Sequence, residues 1–339
     1  MNLENPLINL YASLIGWAVL GYVLGRLLPR SSPKYVGKAL YWVGIPISIV
    51  AFMRRTNLTG YILIAPVAAW VAIIVGACLA WIWIELGVND ERLKALALGI
   101  KSNGEQDSDQ RGMETAWGRG TQGSFLMAMM VGNTAYMGFP VVLSLVGPEY
   151  FVWAVLYNTF GTTLGLHGLG FTVAAHFGKR KEGEQRQQSQ NLVMVLLKNP
   201  ALWSFVIGIA VQNIPLPGLV EQSLQTGAKT IVNLSLVLIG MQLSHLASLS
   251  KLNQAFTCLA IKMVAVPLIV GTGLMFFGVT GDPRLVIVLM MAMPPSFATI
   301  LYAEAYNLDQ ELAVTAVVFG SISLLFTLPL WMFLFGPQV

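Results

Sequence analysis

Residues 131–140 read VGNTAYMGFP and lie at the middle of an otherwise apolar segment, where a buried helix would favour Leu, Ile, Val and Ala. Asn133 and Thr134 bring an amide and a hydroxyl, both of which can hydrogen-bond a polar ligand. Glycine and proline nearby weaken a helix, glycine by its conformational freedom and proline by its missing N–H. These helix-breaking residues are Gly132, Gly138 and Pro140. The pattern indicates a helix interrupted at a polar binding position.

A second apolar segment is interrupted at Pro294-Pro295, within MAMPPSFAT. The two segments are followed by weakly similar sequences: VGPEYFVWAVLYNTFG ends at Phe160-Gly161, and AYNLDQELAVTAVVFG ends at Phe319-Gly320. When these ends are superposed, Asn133-Thr134-Ala135 lies opposite Ala292-Met293-Pro294. Both halves of the chain are therefore interrupted at the same place, which predicts an internal repeat.

Half-helices that begin at such breaks direct backbone N–H groups and partial positive charge at one point. That arrangement favours an anion, above all a carboxylate. Within a bilayer the freed backbone groups must face protein or water, because an unsatisfied group is costly in lipid. A structural proline kink is the alternative explanation of either break alone. A symmetric pair of breaks beside an asparagine favours the substrate site of a secondary transporter.

The composition places these breaks in a membrane protein. Hydrophobic residues make up 55% of the chain and charged residues 11%, whereas soluble domains carry about 25% charged residues. The net charge of +4 is therefore no sign of nucleic-acid binding. Cys78 and Cys258 lie in apolar segments, so we expect no disulfide, metal site or cofactor. The sequence also contains no catalytic constellation, which argues against an enzyme.

Ten apolar segments are long enough to cross a bilayer, which takes roughly 20 helical residues. They fall at about 7–28, 36–53, 61–86, 121–146, 150–177, 196–213, 225–246, 252–278, 283–304 and 311–335. The first lacks the basic start of a cleavable signal peptide, so we expect a retained span.

Lys and Arg concentrate in alternate loops, including 87–120 and 178–195, which we assign to the cytoplasm of a plasma (inner) membrane protein. The opposite loops hold only Arg54, Arg55, Lys229 and Arg284. Both termini should therefore face away from the cytoplasm. The loop 178–195 acts as a linker between five spans in residues 1–177 and five in residues 196–339. An odd number of spans per half gives two repeats of opposite orientation.

These segments resemble one known family. GNTAYMGFP is similar to the PNT-x-x-MGIP stretch in the fourth span of the auxin efflux carriers, the plant PIN proteins and their bacterial relatives. MPPSFATILYAEAYNLDQELAVTAVVFG resembles the ninth-to-tenth-span segment of that family. Weaker likeness covers nearly the whole chain, including VGIPISIVAF in the second span and Lys262 followed by Pro267 in the eighth.

The resemblance implies an all-α fold of ten transmembrane helices, like that of bile-acid symporters and sodium/proton antiporters. Spans 1, 2, 6 and 7 would form a scaffold that makes a homodimer in the lipid bilayer. Spans 3, 4, 5, 8, 9 and 10 would form a transport domain. Crossed fourth and ninth helices would hold a small organic anion, and the domain would move by an elevator-type displacement.

The resemblance also implies individual roles. Asn133 would contact the substrate carboxylate, with Thr134 beside it. Further substrate contacts would come from Pro294, Pro295, Pro46, Ser48, Tyr157 and Asn158. The chain departs from the family pattern at Gly132, where the family has proline, and at Ile49, where the plant carriers have serine. Its third span also lacks the acidic residue of the plant proteins.

Three further polar residues within spans are candidates for electrostatic or coupling roles. Lys262 could supply a positive field or simply extend its stem towards the interface. His167 could sense protons or hydrogen-bond within the bundle, and Gln242 could line the pocket or a domain contact. The sequence thus predicts an organic-anion carrier. The alternatives are a sodium-coupled bile-acid-type symporter and a non-transporting membrane sensor.

Overall fold

The computed structural model describes residues 6–58, 60–97, 117–178, 192–245 and 250–336. Within these ranges the regular elements are helices, together with one isolated β-bridge. The helices are α1 (Pro6–Leu27), α2 (Ser32–Met53), α3 (Ile64–Ala97), α4a (Arg119–Met130), α4b (Thr134–Leu145), α5 (151–177), α6a (Leu192–Lys198), α6b (Pro200–Ala210), α7 (Gly218–Leu243), α8 (Leu252–Phe277), α9a (Gly281–Met291), α9b (Phe297–Ala305) and α10 (Gln310–Phe335).

Five of the described helices are long and apolar enough to cross a membrane by themselves: α2, α3, α7, α8 and α10. The bent pair α6a–α6b, with 55° between its halves, makes a sixth if it is counted as one span. The protein is therefore an all-helical membrane protein with about five clear spans. The count of ten stays a prediction.

Of the prolines that lie inside helices, three follow a π turn; Pro329 lies inside α10 without one. The turns Leu40–Gly44, Thr134–Gly138 and Ile261–Ala265 each end two residues before a proline. The residue before the proline donates its N–H to the carbonyl five positions earlier, as Phe139 does to Thr134. This wider turn moves the carbonyl four positions earlier away from the proline ring. Pro46, Pro140 and Pro267 are accommodated in this way.

The helices α1, α2, α6b and α7 pack together as one group. α1 lies along α7 so closely that a Cβ atom on Gly21 would overlap the Val237 carbonyl, and one on Gly240 would overlap the Ala18 carbonyl. Glycine is required at both positions because no side chain fits between the two backbones.

Polar contacts join α2 to the start of α7 and to the segment before it. The Arg54 guanidinium forms an ion pair of 2.9 Å with Glu221 and donates a hydrogen bond of 2.9 Å to the Ile214 carbonyl. The Gln225 amide donates to the Ala51 carbonyl at 2.8 Å. These bonds satisfy carbonyls at the end of α2 and before α7, so the group is connected by polar as well as apolar contacts.

A second group consists of α3, α4a, α4b, α5, α8, α9a, α9b and α10. α3 packs on α4a and on the middle of α5, while α8 and α9a pack on α10. Residues 285–291 of α9a are all buried, so this half-helix forms the centre of the group. At one end, Lys251 forms an ion pair with Asp309, which also accepts a hydrogen bond of 2.7 Å from Thr121. That cluster connects the first turns of α4a, α8 and α10.

The polar segments differ from the predicted loops. We expected a loop over 87–120, but α3 continues as a helix to Ala97, and α4a begins at Arg119. Residues 98–116 of this segment lie outside the described residues. Charged residues beyond the apolar part can extend a helix into water, which a hydropathy count does not detect. Most of the predicted linker 178–195 lies outside the described residues, and α6a already begins at Leu192.

Candidate functional site

The two interruptions predicted from the sequence contact each other. Gly132 and Pro295 form the isolated antiparallel bridge. The Asn133 N–H donates to the Pro294 carbonyl at 2.8 Å, and the Ser296 N–H donates to the Val131 carbonyl at 3.0 Å. Four backbone groups that the breaks release are therefore paired with each other, which meets the requirement that buried backbone groups be satisfied.

The start of α4b keeps free backbone donors. Val131 is extended, and the first bonds of the new helix run from the N–H groups of Met137 and Gly138 to the Asn133 carbonyl, both at 3.2 Å. The N–H groups of Thr134, Ala135 and Tyr136 precede these bonds and have no intrahelical acceptor. They give this end of the helix a partial positive charge.

The start of α9b is capped by its own residues. The Ser296 hydroxyl accepts a hydrogen bond of 3.3 Å from the Ala298 N–H, and Thr299 donates its N–H and its hydroxyl to the Ser296 carbonyl. Ser296 is a residue that the sequence reasoning missed, although serine before an apolar helix is a known N-cap signal. Because these donors are already used, α4b offers more binding capacity than α9b.

Asn133 is a buried amide whose side chain has no partner in the part of the chain that the structure describes. It is 3% exposed, and its hydrogen bonds in that part involve only its backbone. Thr134 behaves differently, because its hydroxyl donates to the Asn158 side-chain oxygen at 2.7 Å. The Asn133 amide therefore remains available to a ligand, whereas the Thr134 hydroxyl is already used within the protein.

The fifth helix contributes further buried groups beside Asn158. Tyr157 and Thr159 are both buried, and the Thr159 hydroxyl has no hydrogen-bond partner among the described residues. Thr159 was not predicted as a site residue, since a threonine in an apolar run gives no distinct signal. These residues lie on the π turn Tyr157–Thr163.

A narrow cleft of about 10 Å³ separates the two groups of helices beside α4b. Its lining includes Ser48 from α2, Ala135 and Pro140 from α4b, and Ser235 from α7. A cavity of this size holds about one water molecule. The predicted residues Ser48 and Pro140 therefore meet at this boundary, which is closed to a larger molecule.

Pro46 is not among the residues that line this cleft. It lines a separate groove of about 430 Å³, together with Trp42, Lys198 and Trp203. Pro46 and Ser48, which the family resemblance implies as substrate contacts, thus line different cavities. The physical reason is the helical rotation of about 200° over two residues.

The three remaining predicted residues have distinct surroundings. Lys262 is buried, and its stem lies beside Gly132. The ring of His167 lies 2.8 Å from the Thr163 carbonyl, one turn earlier on the same helix. The Gln242 side-chain oxygen is buried and has no partner among the described residues. Gly138 lies against Met290 of α9a, where a Cβ atom would be 2.7 Å from the sulfur.

The described residues contain no cluster of three or more His, Cys, Asp or Glu side chains that could hold a metal ion. At the start of α4b and on the neighbouring turn of α5, the groups that a ligand could bind are the Asn133 amide, backbone N–H groups and the Thr159 hydroxyl. Such a donor set suits an anion.

Known proteins with similar sequences are transporters. The family described as "Membrane transport protein" matches residues 119–332. An uncharacterized transporter of Methanothermobacter thermautotrophicus is 24% identical over 326 residues, which cover 94% of this chain and 95% of that protein. An uncharacterized transporter of Methanocaldococcus jannaschii is 23% identical over 217 residues, covering 62% of this chain and 67% of that protein.

Plant proteins match a shorter region. A probable auxin efflux carrier component 5b of Oryza sativa subsp. japonica is 29% identical over 134 residues, which cover 37% of this chain and 36% of the rice protein. The family match extends over more than half of the chain and includes both interruptions. The protein therefore belongs to the membrane transport protein family that includes the auxin efflux carriers, and it is a membrane transporter.

Proposed function

We propose that the protein is a secondary transporter of small organic anions, which bind where α4 and α9 are interrupted. One observation carries the proposal: at this contact the buried Asn133 side chain is unpaired and the first N–H groups of α4b lack intrahelical acceptors. Both are hydrogen-bond donors at the start of α4b, and a carboxylate accepts several such bonds. Asn133, with Thr134 and Asn158 beside it, forms the centre of the proposed site.

The proposed architecture has ten spans in two inverted repeats, with α4 and α9 crossing. Gly161 and Gly320, which occupy equivalent positions in the two proposed repeats, support this architecture. A Cβ atom on Gly161 of α5 would overlap Ala69 of α3, and one on Gly320 of α10 would lie 2.8 Å from Pro294 and 2.9 Å from Leu259 of α8. Each Phe-Gly pair thus ends in a glycine that a neighbouring helix approaches closely, and α3 and α8 would be equivalent helices in the two halves.

Transport would occur by an elevator displacement of the second group of helices against the first. The closed cleft of about 10 Å³ between the groups supports this, because a substrate could pass only if the groups moved relative to each other. The first group, α1, α2, α6 and α7, would be the scaffold and the surface of a homodimer. The termini would face away from the cytoplasm of an inner membrane, which protease protection of tagged termini can test.

Uptake into proteoliposomes tests the transport proposal. Purified protein is reconstituted and supplied with radiolabelled indole-3-acetate, pyruvate, malonate or malate, with and without a sodium gradient. The plant relatives, named as auxin carriers, are the reason for including the indole acid. We expect saturable uptake of at least one acid that does not depend on sodium. Uptake only with a sodium gradient would favour the sodium-coupled symporter, and no uptake of any organic anion would contradict the proposal.

A further inference from the structure

Lys262 is a buried charged residue without a countercharge. Lys262 is 8% exposed, and its ammonium has no hydrogen bond and no ion pair among the described residues. Other basic side chains near the core are paired, as Arg54 is with Glu221 and Lys251 with Asp309. A buried charge without a partner is strongly unfavourable, so a bound anion would stabilise an ammonium at this position.

The Lys262 side chain ends beside the interruption of α4. A Cβ atom placed on Gly132 would lie 3.7 Å from the Lys262 Cε atom. Gly132 pairs with Pro295 and precedes Asn133, so the lysine reaches the point where the two breaks meet. The π turn Ile261–Ala265 of α8 holds Lys262 in this position. Absence of a side chain at residue 132 leaves the space next to the lysine stem open.

The surrounding helices cannot provide the missing negative charge. Residues 64–84, 119–146, 151–177, 252–277, 283–303 and 312–335 contain no Asp or Glu. These ranges include most of the second group of helices, against which α8 packs. In the second group, Asp282, Glu304, Asp309 and Glu311 lie at helix ends. Glu85 lies at the end of the apolar part of α3, which is Ile64–Gly87.

We propose that Lys262 is the fixed positive charge that selects monocarboxylates over dicarboxylates at the site of the proposed function, on which this inference rests. A bound monoanion neutralises the ammonium, whereas a dianion leaves one uncompensated negative charge in a buried site. The same charge repels a sodium ion, so the anion binds without a coupling cation. Lys262 thereby determines the charge of the substrate, while Asn133 and the α4b donors bind its carboxylate.

Affinity measurements on four proteins test this role. Binding of indole-3-acetate, pyruvate, malonate and malate at pH 7 is followed by isothermal titration calorimetry for the wild type, Lys262→Met, Lys262→Arg and Lys229→Met. Lys229 is the matched control, because it is an exposed lysine within a span of the first group. For Lys262→Met we expect a loss of about tenfold to hundredfold in monocarboxylate affinity, the range for one charged hydrogen bond. Lys262→Arg should retain most of the affinity, and Lys229→Met should equal the wild type.

The thermal stability of the ligand-free variants gives a second readout. Lys262→Met should be at least as stable as the wild type, because methionine removes an unpaired buried charge at similar volume. A clear decrease in melting temperature would mean that the lysine has a structural partner and would overturn the inference. Wild-type affinity and charge selectivity in Lys262→Met would also overturn it, while leaving the transport function intact. If the wild type bound no organic anion at all, the proposed function itself would fail.

Discussion

At the scale of single residues, two buried asparagines differ in whether their side chains are hydrogen-bonded within the protein. The Asn199 side chain accepts a hydrogen bond of 2.9 Å from the Ala201 N–H and caps α6b. The Asn133 side chain, which is equally buried at 3% exposure, bonds to no described residue. An amide that stabilises a helix is satisfied within the protein, whereas an amide that binds substrate must stay available.

We predict that Asn133→Ala lowers carboxylate affinity by at least about tenfold, because a hydrogen bond to a charged group is removed. Its melting temperature should equal that of the wild type, since no intramolecular side-chain bond is lost. Binding is measured by calorimetry and stability by thermal denaturation in detergent.

Asn199→Ala is the matched control for this variant. Loss of an N-cap costs about 1 kcal/mol, so this variant should unfold at lower temperature and bind the substrate normally. Unchanged binding in Asn133→Ala, or the same decrease in stability in both variants, would contradict the assignment of the site.

The sequence indicated Asn133 because an amide in an apolar segment is conspicuous. Ser296 and Thr159 were missed because their roles depend on contacts rather than on type. Ser296 acts through its N–H bond to Val131, far away along the chain, and through its cap. The family resemblance implies both Pro46 and Ser48 as substrate contacts, although the two line different cavities.

At the scale of helices, not every proline marks an interruption. Pro46, Pro140 and Pro267 follow π turns and remain inside continuous helices. Near Gly132 and at Pro294-Pro295 the chain leaves the helical conformation, and backbone groups of the other helix replace the lost bonds. A proline therefore kinks or breaks a helix according to which acceptors are available around it.

We predict that Gly320→Ala destabilises the protein by about 1–3 kcal/mol, the usual range for overpacking. The added methyl group would lie 2.8 Å from the Pro294 Cβ atom and 3.0 Å from the Pro295 Cδ atom. Proline rings at a helix break cannot rotate away, so α10 or the break itself must shift. Thermal denaturation measures the loss, and the same variant should transport more slowly.

Gly227→Ala is the control for the Gly320→Ala variant. Gly227 lies within α7, and a Cβ atom placed on it has no neighbour within 4 Å. Alanine favours a helix over glycine by up to about 1 kcal/mol, so this variant should be as stable as the wild type or more stable. Equal stability of the two alanine variants would argue against close packing of α10 on the break.

At the scale of the whole molecule, the boundary between the two groups of helices is where motion is expected. Ala135 of α4b and Ser235 of α7 line the same cleft from opposite groups. In a background of Cys78→Ser and Cys258→Ala, the pair Ala135→Cys with Ser235→Cys should be joined by a short bifunctional thiol reagent. We predict that cross-linking stops transport and that reductive cleavage of the reagent restores it.

A second pair in the same cleft provides the control. Ile45 and Ile231 both line it, but they belong to α2 and α7 of the first group. Cross-linking of Ile45→Cys with Ile231→Cys should leave transport unchanged, since the two helices move together. Transport that continues after the Ala135–Ser235 link would be incompatible with an elevator displacement.

The sequence by itself determined the membrane class, the helical nature of the apolar segments and the location of the two interruptions. These features follow from local chemistry. Apolar side chains favour lipid, proline lacks an N–H, and a buried amide costs free energy unless it is hydrogen-bonded. Loop boundaries were less well predicted, as the extension of α3 to Ala97 shows.

Only the tertiary structure decided that the two breaks hydrogen-bond to each other, that Thr134 is paired while the Asn133 side chain is free, and that Lys262 ends beside Gly132. Each of these facts depends on the distance between residues far apart in the chain. Whether a buried polar group is satisfied is a property of its neighbours in space. Residue type fixes which bonds a group can make, and the fold fixes which of them remain open to a ligand.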